Sequence, residues 1–164
     1  GVGSSPHLAG ELFQQLTGTK WLHVPYKGDP PLVADLIGGQ IQIAIITAVL
    51  AGPQIKAGKL RALAVTTVQR SPIMPDVPVI GDVVPGYAVD GWGGMLAPAG
   101  TPREIVTRVN QSIARILKLP EVLERLNAIA AQPAHTTPEE FAQKIAREIA
   151  MWTKVVKTAN IKLN

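Results

Sequence analysis

The chain has 164 residues, enough for one good core or two small lobes, and 46% of them are apolar, which excludes a disordered chain. No run of about 18 apolar residues marks a membrane span, and the lack of cysteine excludes disulfides, thiol catalysis and Cys-ligated zinc. The net charge of +4 is no nucleic-acid footprint: residues 1–95 balance six Lys/Arg against six Asp/Glu, residues 96–164 hold ten against six, that surplus is spread over helix faces, and only 4% of residues are aromatic.

The chain opens on Gly1-Val2-Gly3-Ser4-Ser5-Pro6-His7-Leu8. Its glycines let the backbone approach a ligand closely, Ser4 or Ser5 can cap a helix, and Pro6 suits the helix's first position. Leu8, Leu12 and Leu16 supply the buried face. Such a loop collects unpaired N–H groups at the positive end of a helix dipole, which is the chemistry of an anion site or of an ordinary capped helix.

Gly18 closes this helix, and Lys20 to Tyr26 reads as a strand. Lys27-Gly28 makes a turn. Asp29 caps a second helix with Pro30 at its first position, ended by Gly38-Gly39. Ile41 to Thr47 is a nearly continuous apolar run, as in a strand covered on both faces. A short helix around Ala48 to Ala57, interrupted by Gly52-Pro53, precedes a strand at Leu60 to Thr66. Strands alternating with helices at this spacing predict a parallel sheet.

Gln69 to Gly86, with Pro72, Pro75, Pro78 and Pro85, is expected to be a rigid surface stretch with one short helical turn. Tyr87 to Ala97 returns to strand character, where Gly91, Gly93 and Gly94 mark a bulge, a bend or close backbone approach. The tail is helical. Thr101 caps and Pro102 starts one helix, Pro120 breaks it before a second around Val122, Leu123 and Leu126, and Thr137, Pro138 and Glu140 form the start of the last. Three strands are few for this many helices, and the glycine loop lacks a strand before it, so a preceding segment is expected to be missing.

Catalytic motifs are weak. Gly1-Val2-Gly3 lacks the third glycine of a dinucleotide loop, and no Gly-Lys-Ser/Thr occurs. Ser4, Ser5, His7 and His23 have no G-x-S-x-G elbow. His7, His23 and His135 are read as lying away from acidic partners, His23 as packed or hydrogen-bonded at a strand end, so no metal and no cofactor are implied. The Tyr26-Lys27-Gly28 turn matters more. It sits where open α/β sheets place ligands, with Thr47 at the same edge one strand away, and offers a cation, a hydroxyl and a close N–H. A plain solvent-exposed turn is the alternative.

The succession from Ser5-Pro6-His7-Leu8-Ala9-Gly10-Glu11-Leu12-Phe13 through His23-Val24-Pro25-Tyr26-Lys27-Gly28 and Asp35-Leu36-Ile37-Gly38-Gly39-Gln40 resembles the Bug/TctC family. The resemblance continues through Lys56–Thr66, Pro75–Pro78, Gly91-Trp92, Leu96–Pro102 and Thr137–Phe141. These are the extracytoplasmic solute-binding proteins of tripartite tricarboxylate transporters. The resemblance implies an α/β, periplasmic-binding-protein-like (type II) lobe with a parallel-rich sheet, followed by C-terminal helices that in the family pack on the first lobe. On this basis residues 1–90 form the second ligand-binding lobe, 91–100 the crossing strand and hinge, and 101–164 the closing helices of an incomplete first lobe.

The resemblance also implies a truncated, non-enzymatic carboxylate receptor with half a site, in the periplasm although no signal peptide is legible. Its partners would be a small carboxylate and membrane transporter subunits, with homo-oligomers possible through exposed apolar helix faces. The implied ligand-binding residues are Gly3, Ser4, Ser5, His7, Tyr26, Lys27, Gly28, Ile46, Thr47 and Trp92. Ile46 and Thr47 stand near positions where family members commonly carry Asp or Asn, so the apolar Ile46 would favour an apolar or aromatic acid over an ammonium-bearing one. The alternatives are a remnant or oligomeric interaction domain that binds nothing small, and a Ser/His hydrolase.

Overall fold

Among the described residues seven apolar side chains are buried: Ala9, Leu12, Val79, Val84, Tyr87, Val89 and Val155. The computed structural model that places them describes residues 1–128 and 131–161. Six α-helices carry the regular structure: α1 (Ser5–Thr17), α2 (Asp29–Ile37), α3 (Ala48–Lys56), α4 (Arg103–Ile116), α5 (Pro120–Ala128) and α6 (Pro138–Thr158), with a single 3-10 turn at Ile80–Asp82.

Local chemistry sets the helix ends. Ser4 is the N-cap of α1, with Pro6 in the first turn, and Gly18 adopts the left-handed conformation (φ 71°) that lets its N–H reach the Gln14 carbonyl at 2.9 Å. At α2 the helix starts one residue earlier than expected, with Gly28 as cap and Asp29 already inside. α3 runs straight through Gly52-Pro53 rather than breaking there. Pro102, not Thr101, caps α4, because the Thr101 hydroxyl donates back to the Pro98 carbonyl at 2.8 Å. α6 has a full capping box. The Glu140 N–H donates to Thr137 Oγ1 at 3.2 Å, and the Thr137 N–H donates to Glu140 Oε2 at 2.8 Å.

The expected α/β lobe with a parallel-rich sheet is corrected. Among the described residues there is no β-strand, and the fold is almost entirely helical with irregular connections. The alternation that marked 20–26, 41–47, 60–66 and 87–97 as strands reports residues facing two environments. A strand also needs a neighbour to accept its N–H and C=O groups along a ladder. Here one parallel bridge joins Val65 to Val79, carried by Val65 N–H to Pro78 O (2.8 Å) and Ile80 N–H to Val65 O (3.0 Å). Val89 N–H to Thr66 O at 2.9 Å adds a single further bond.

That bridge changes the proline-rich stretch as well. Rather than lying wholly on the surface, 69–86 delivers Val79 and Val84 to the core, next to Tyr87 and Val89. Ala9 and Leu12 of α1 and Val155 of α6 close this core, with Phe13, Ile45, Ile80 and Trp152 packed around it. The Tyr87 hydroxyl donates to the Ala9 carbonyl at 3.3 Å, and burial pushes its pKa up to about 12.

The chain divides into two compact units, one of Gly1–Gly91 with the chain from Trp152 onward, the other Trp92–Met151. All seven buried residues belong to the first. No described residue of the second is buried.

Candidate functional site

Helix α1 serves two surfaces at once. Ala9 and Leu12 face the core, whereas His7, Glu11 and Gln14, spaced i, i+4 and i+7, share a neighbouring face that lines a cleft of about 710 Å³. The cleft lies within the first unit and is lined by residues between Gly1 and Thr47. Its opposite walls are the connections 20–28 and 40–47. The first is tied to α1 by the Trp21 N–H donating to Gln14 Oε1 and by the Trp21 ring stacked on Phe13 at 4.8 Å. Gly10 lets both Trp21 and Ile45 lie against the helix at ordinary contact distance.

Two helix N-termini border the cleft. Ser4 caps α1 and Thr47 caps α3, and neither side chain bonds its own helix's N–H groups. The Leu50 N–H in the first turn of α3 turns back to the Thr47 carbonyl at 3.1 Å, and Pro6 in the first turn of α1 has no N–H, so the cap hydroxyls and the remaining first-turn N–H groups are what each helix start leaves for water or an anion. The start of α2 is a poorer donor. Pro30 and Pro31 have no N–H, and Asp29 adds a negative charge.

Of the residues expected from sequence, Ser4, His7, Tyr26, Gly28, Ile46 and Thr47 line this cleft. Gly3 stands behind it, its N–H donating to His7 Nδ1 at 3.0 Å. Ser5 is the first residue of α1 and is exposed, and Lys27 is exposed beyond the lining. Trp92 belongs to the other unit, where its Nε1–H donates to Glu148 Oε1 at 2.7 Å. The Tyr26 hydroxyl is engaged too. It donates to Asp35 Oδ2 at 2.7 Å, and that bond raises its pKa.

Glu11, Gln14, Trp21 and His23 line the cleft although no role was expected of them as ligand contacts. The spacing of Glu11, four residues after His7, was the available signal. His7 Nε2 stands 3.6 Å from Glu11 Oε1, which corrects the expectation that no acidic partner lies near this histidine. His23 stacks on His7, with ring centroids 3.9 Å apart and planes at 18°. Partial desolvation of the ring, followed by the neighbouring His7, lowers the His23 pKa. Among the described residues no group of three or more His, Cys, Asp or Glu could hold a metal ion.

Comparison with known proteins bears on this cleft. The model of the tripartite tricarboxylate transporter family receptor matches residues 1–161. A UPF0065 protein from the tcbD-tcbE intergenic region of Pseudomonas sp. (strain P51) is 36% identical, over 100% of this chain and 49% of its own length. Among solved structures, Rpa4515 of R. palustris with adipate is 40% identical with a TM-score of 0.81, covering 97% of this chain and 54% of that one. MatC (Rpa3494) from Rhodopseudomonas palustris with bound malate is 32% identical with a TM-score of 0.74, covering 94% and 54%.

The chain thus spans about half the length of these proteins. The expectation that the resemblance is confined to a second lobe and closing helices is corrected to a family match along residues 1–161. The half-site expectation falls as well, because residues of one compact helical unit enclose the cleft by themselves.

Proposed function

The chain belongs to the tripartite tricarboxylate transporter family of receptors, and on that premise we propose that its cleft binds a small organic carboxylate for uptake across a membrane. The family is a class of receptors and not of catalysts, so the hydrolase alternative is set aside. A periplasmic location is the general one for such receptors.

One observation carries the reading. The N-caps of α1 and α3, Ser4 and Thr47, line the same cleft, and because neither side chain bonds its own helix, both present hydroxyls to an anion at the positive end of a helix. The apolar wall of Leu32, Ile41, Ile45 and Ile46 suits the hydrocarbon body of an organic acid. The adipate and malate of the two solved relatives support the same ligand class. Ile46 in that wall favours acids without an ammonium group, since a cation there would lose water with nothing to replace it.

Calorimetric titration with a panel of mono- and dicarboxylates tests the reading. Saturable heat from at least one acid, reduced by Ser4→Ala, is expected; the substitution removes the cap hydroxyl and leaves the Ser4 N–H on the Gly1 carbonyl. No heat from any acid, or tighter binding of an amino acid than of its deaminated analogue, overturns the corresponding part. Transporter subunits are the receptor's expected partners. Self-association is a finer reading, supported by Ile105, Val109 and Ile116 of α4 at 44%, 40% and 49% exposure. A strictly monomeric chain in sedimentation at high concentration overturns it.

A further inference from the structure

We propose that His23 is a ligand-binding residue of the cleft and takes up a proton as the carboxylate docks, so that affinity rises as pH falls. The inference rests on the carboxylate reading above and names the group that couples binding to pH.

The two stacked imidazoles differ in their partners. His7 is committed on both edges. Its Nδ1 accepts the Gly3 N–H at 3.0 Å, its Nε2 faces Glu11 Oε1 at 3.6 Å, and its side chain is only 8% exposed. A ring that accepts at Nδ1 is the neutral tautomer with its proton on Nε2, directed at the Glu11 carboxylate. Both of its ring nitrogens thus already have partners within the protein.

His23 lies flat against that fixed ring, at the exposed edge of the cleft. No hydrogen bond among the described residues occupies either of its ring nitrogens. The groups around it disfavour the charged ring on balance. Glu11 of α1 favours the imidazolium, while His7 and the Gly1 amino group oppose it. Lys20 on its own connection and Asp29 at the start of α2 line the same cleft with opposite charges, and Tyr26 is engaged with Asp35.

Desolvation and the neighbouring His7 lower the His23 pKa and so favour the neutral ring. A ligand carboxylate beside the ring supplies the missing counter-charge and raises its proton affinity. Linkage sets the sign. A group neutral when free and protonated when bound strengthens binding as pH falls toward its free value, by at most about tenfold per pH unit for one proton. Below about pH 4 the ligand's own carboxylate protonates and binding weakens again.

The test is calorimetry with adipate at about pH 5.5 and about pH 7.5, on either side of the ordinary histidine value, in buffers of different ionisation heat. Severalfold tighter binding at the lower pH, with net proton uptake, is expected. The His23→Gln variant should show a flat pH profile and no proton uptake. In the unsubstituted chain, the NMR titration of the His23 ring should move to higher pH when adipate is present. Adipate binding of equal strength at both pH values without proton uptake overturns the inference alone. A pH dependence that survives in His23→Gln overturns the assignment to this residue. No adipate binding at either pH overturns the inference together with the carboxylate reading for that probe.

Discussion

The two units of this chain are held together by different means. Gly1–Gly91, with the chain from Trp152 onward, owns every buried apolar side chain, and the core built from Ala9, Leu12, Val84, Tyr87, Val89 and Val155 lies directly behind the cleft. Trp92–Met151 has no buried residue among those described and relies on polar and aromatic contacts. Asn110 Nδ2 donates to the Thr136 carbonyl at 2.8 Å, Arg103 meets Glu139 at 3.2 Å, and Trp92 sits edge-on to Phe141 at 5.2 Å with Lys144 5.6 Å from its ring. Burial scales with area, whereas exposed ion pairs are worth little. The site therefore sits in the unit that can hold side chains in fixed positions.

The largest effect that tests this contrast is Leu12→Ala. It removes a buried side chain shared by the core and by the helix that carries His7, Glu11 and Gln14, at a cost of about 3 kcal/mol. Thermal unfolding should show the loss, and carboxylate affinity should fall with it. A loss below about 1 kcal/mol would mean that the core does not support the cleft.

Gly94→Ala should come next at about 1–3 kcal/mol, confined to the second unit. A Cβ at this position would fall within the Phe141 ring, so the ring must leave its place beside Trp92. A changed Trp92 environment, read by its indole N–H resonance in NMR, is expected without loss of ligand binding. Weakened binding would show that the units are not independent in this respect.

Thr137→Ala should cost about 1 kcal/mol by breaking the capping box of α6. Acid should act on the same cap more gently. The bonds from Thr137 hold the Glu140 carboxyl below its usual range. Its contribution is therefore present above the ordinary glutamate value and is lost as pH falls through the lowered one. A chemical-shift titration of Glu140 checks this, and a midpoint raised only part of the way in Thr137→Ala, which keeps the backbone N–H, is the expected control.

The helices were legible because their signals are local. Gly18, Pro6 and the Thr137–Glu140 pair each act within one turn of chain, and the structure places them as read. The sheet was misread because alternation reports two environments, not a hydrogen-bonded partner, and partners are set by distant chain. Val65 finds Val79 across a proline-rich stretch that composition assigns to the surface. The cleft was partly legible for the same reason. Ser4, Gly28 and Thr47 are each the N-cap of a helix, where backbone groups are left over. His23 and Trp21 enter through stacking with His7 and Phe13, contacts between segments that no local spacing encodes. Lys27 was placed by an expected strand end and Trp92 by an expected crossing strand, neither of which forms, and neither residue lines the cleft.

The most direct test of the central claim is an amide and ring NMR titration of the chain with adipate. Perturbations are expected at Ser4, His7, His23, Ile46 and Thr47, around the N-termini of α1 and α3, with the Asn110–Glu140 region silent. Absent perturbations, or perturbations centred on residues 92–151, would contradict the account.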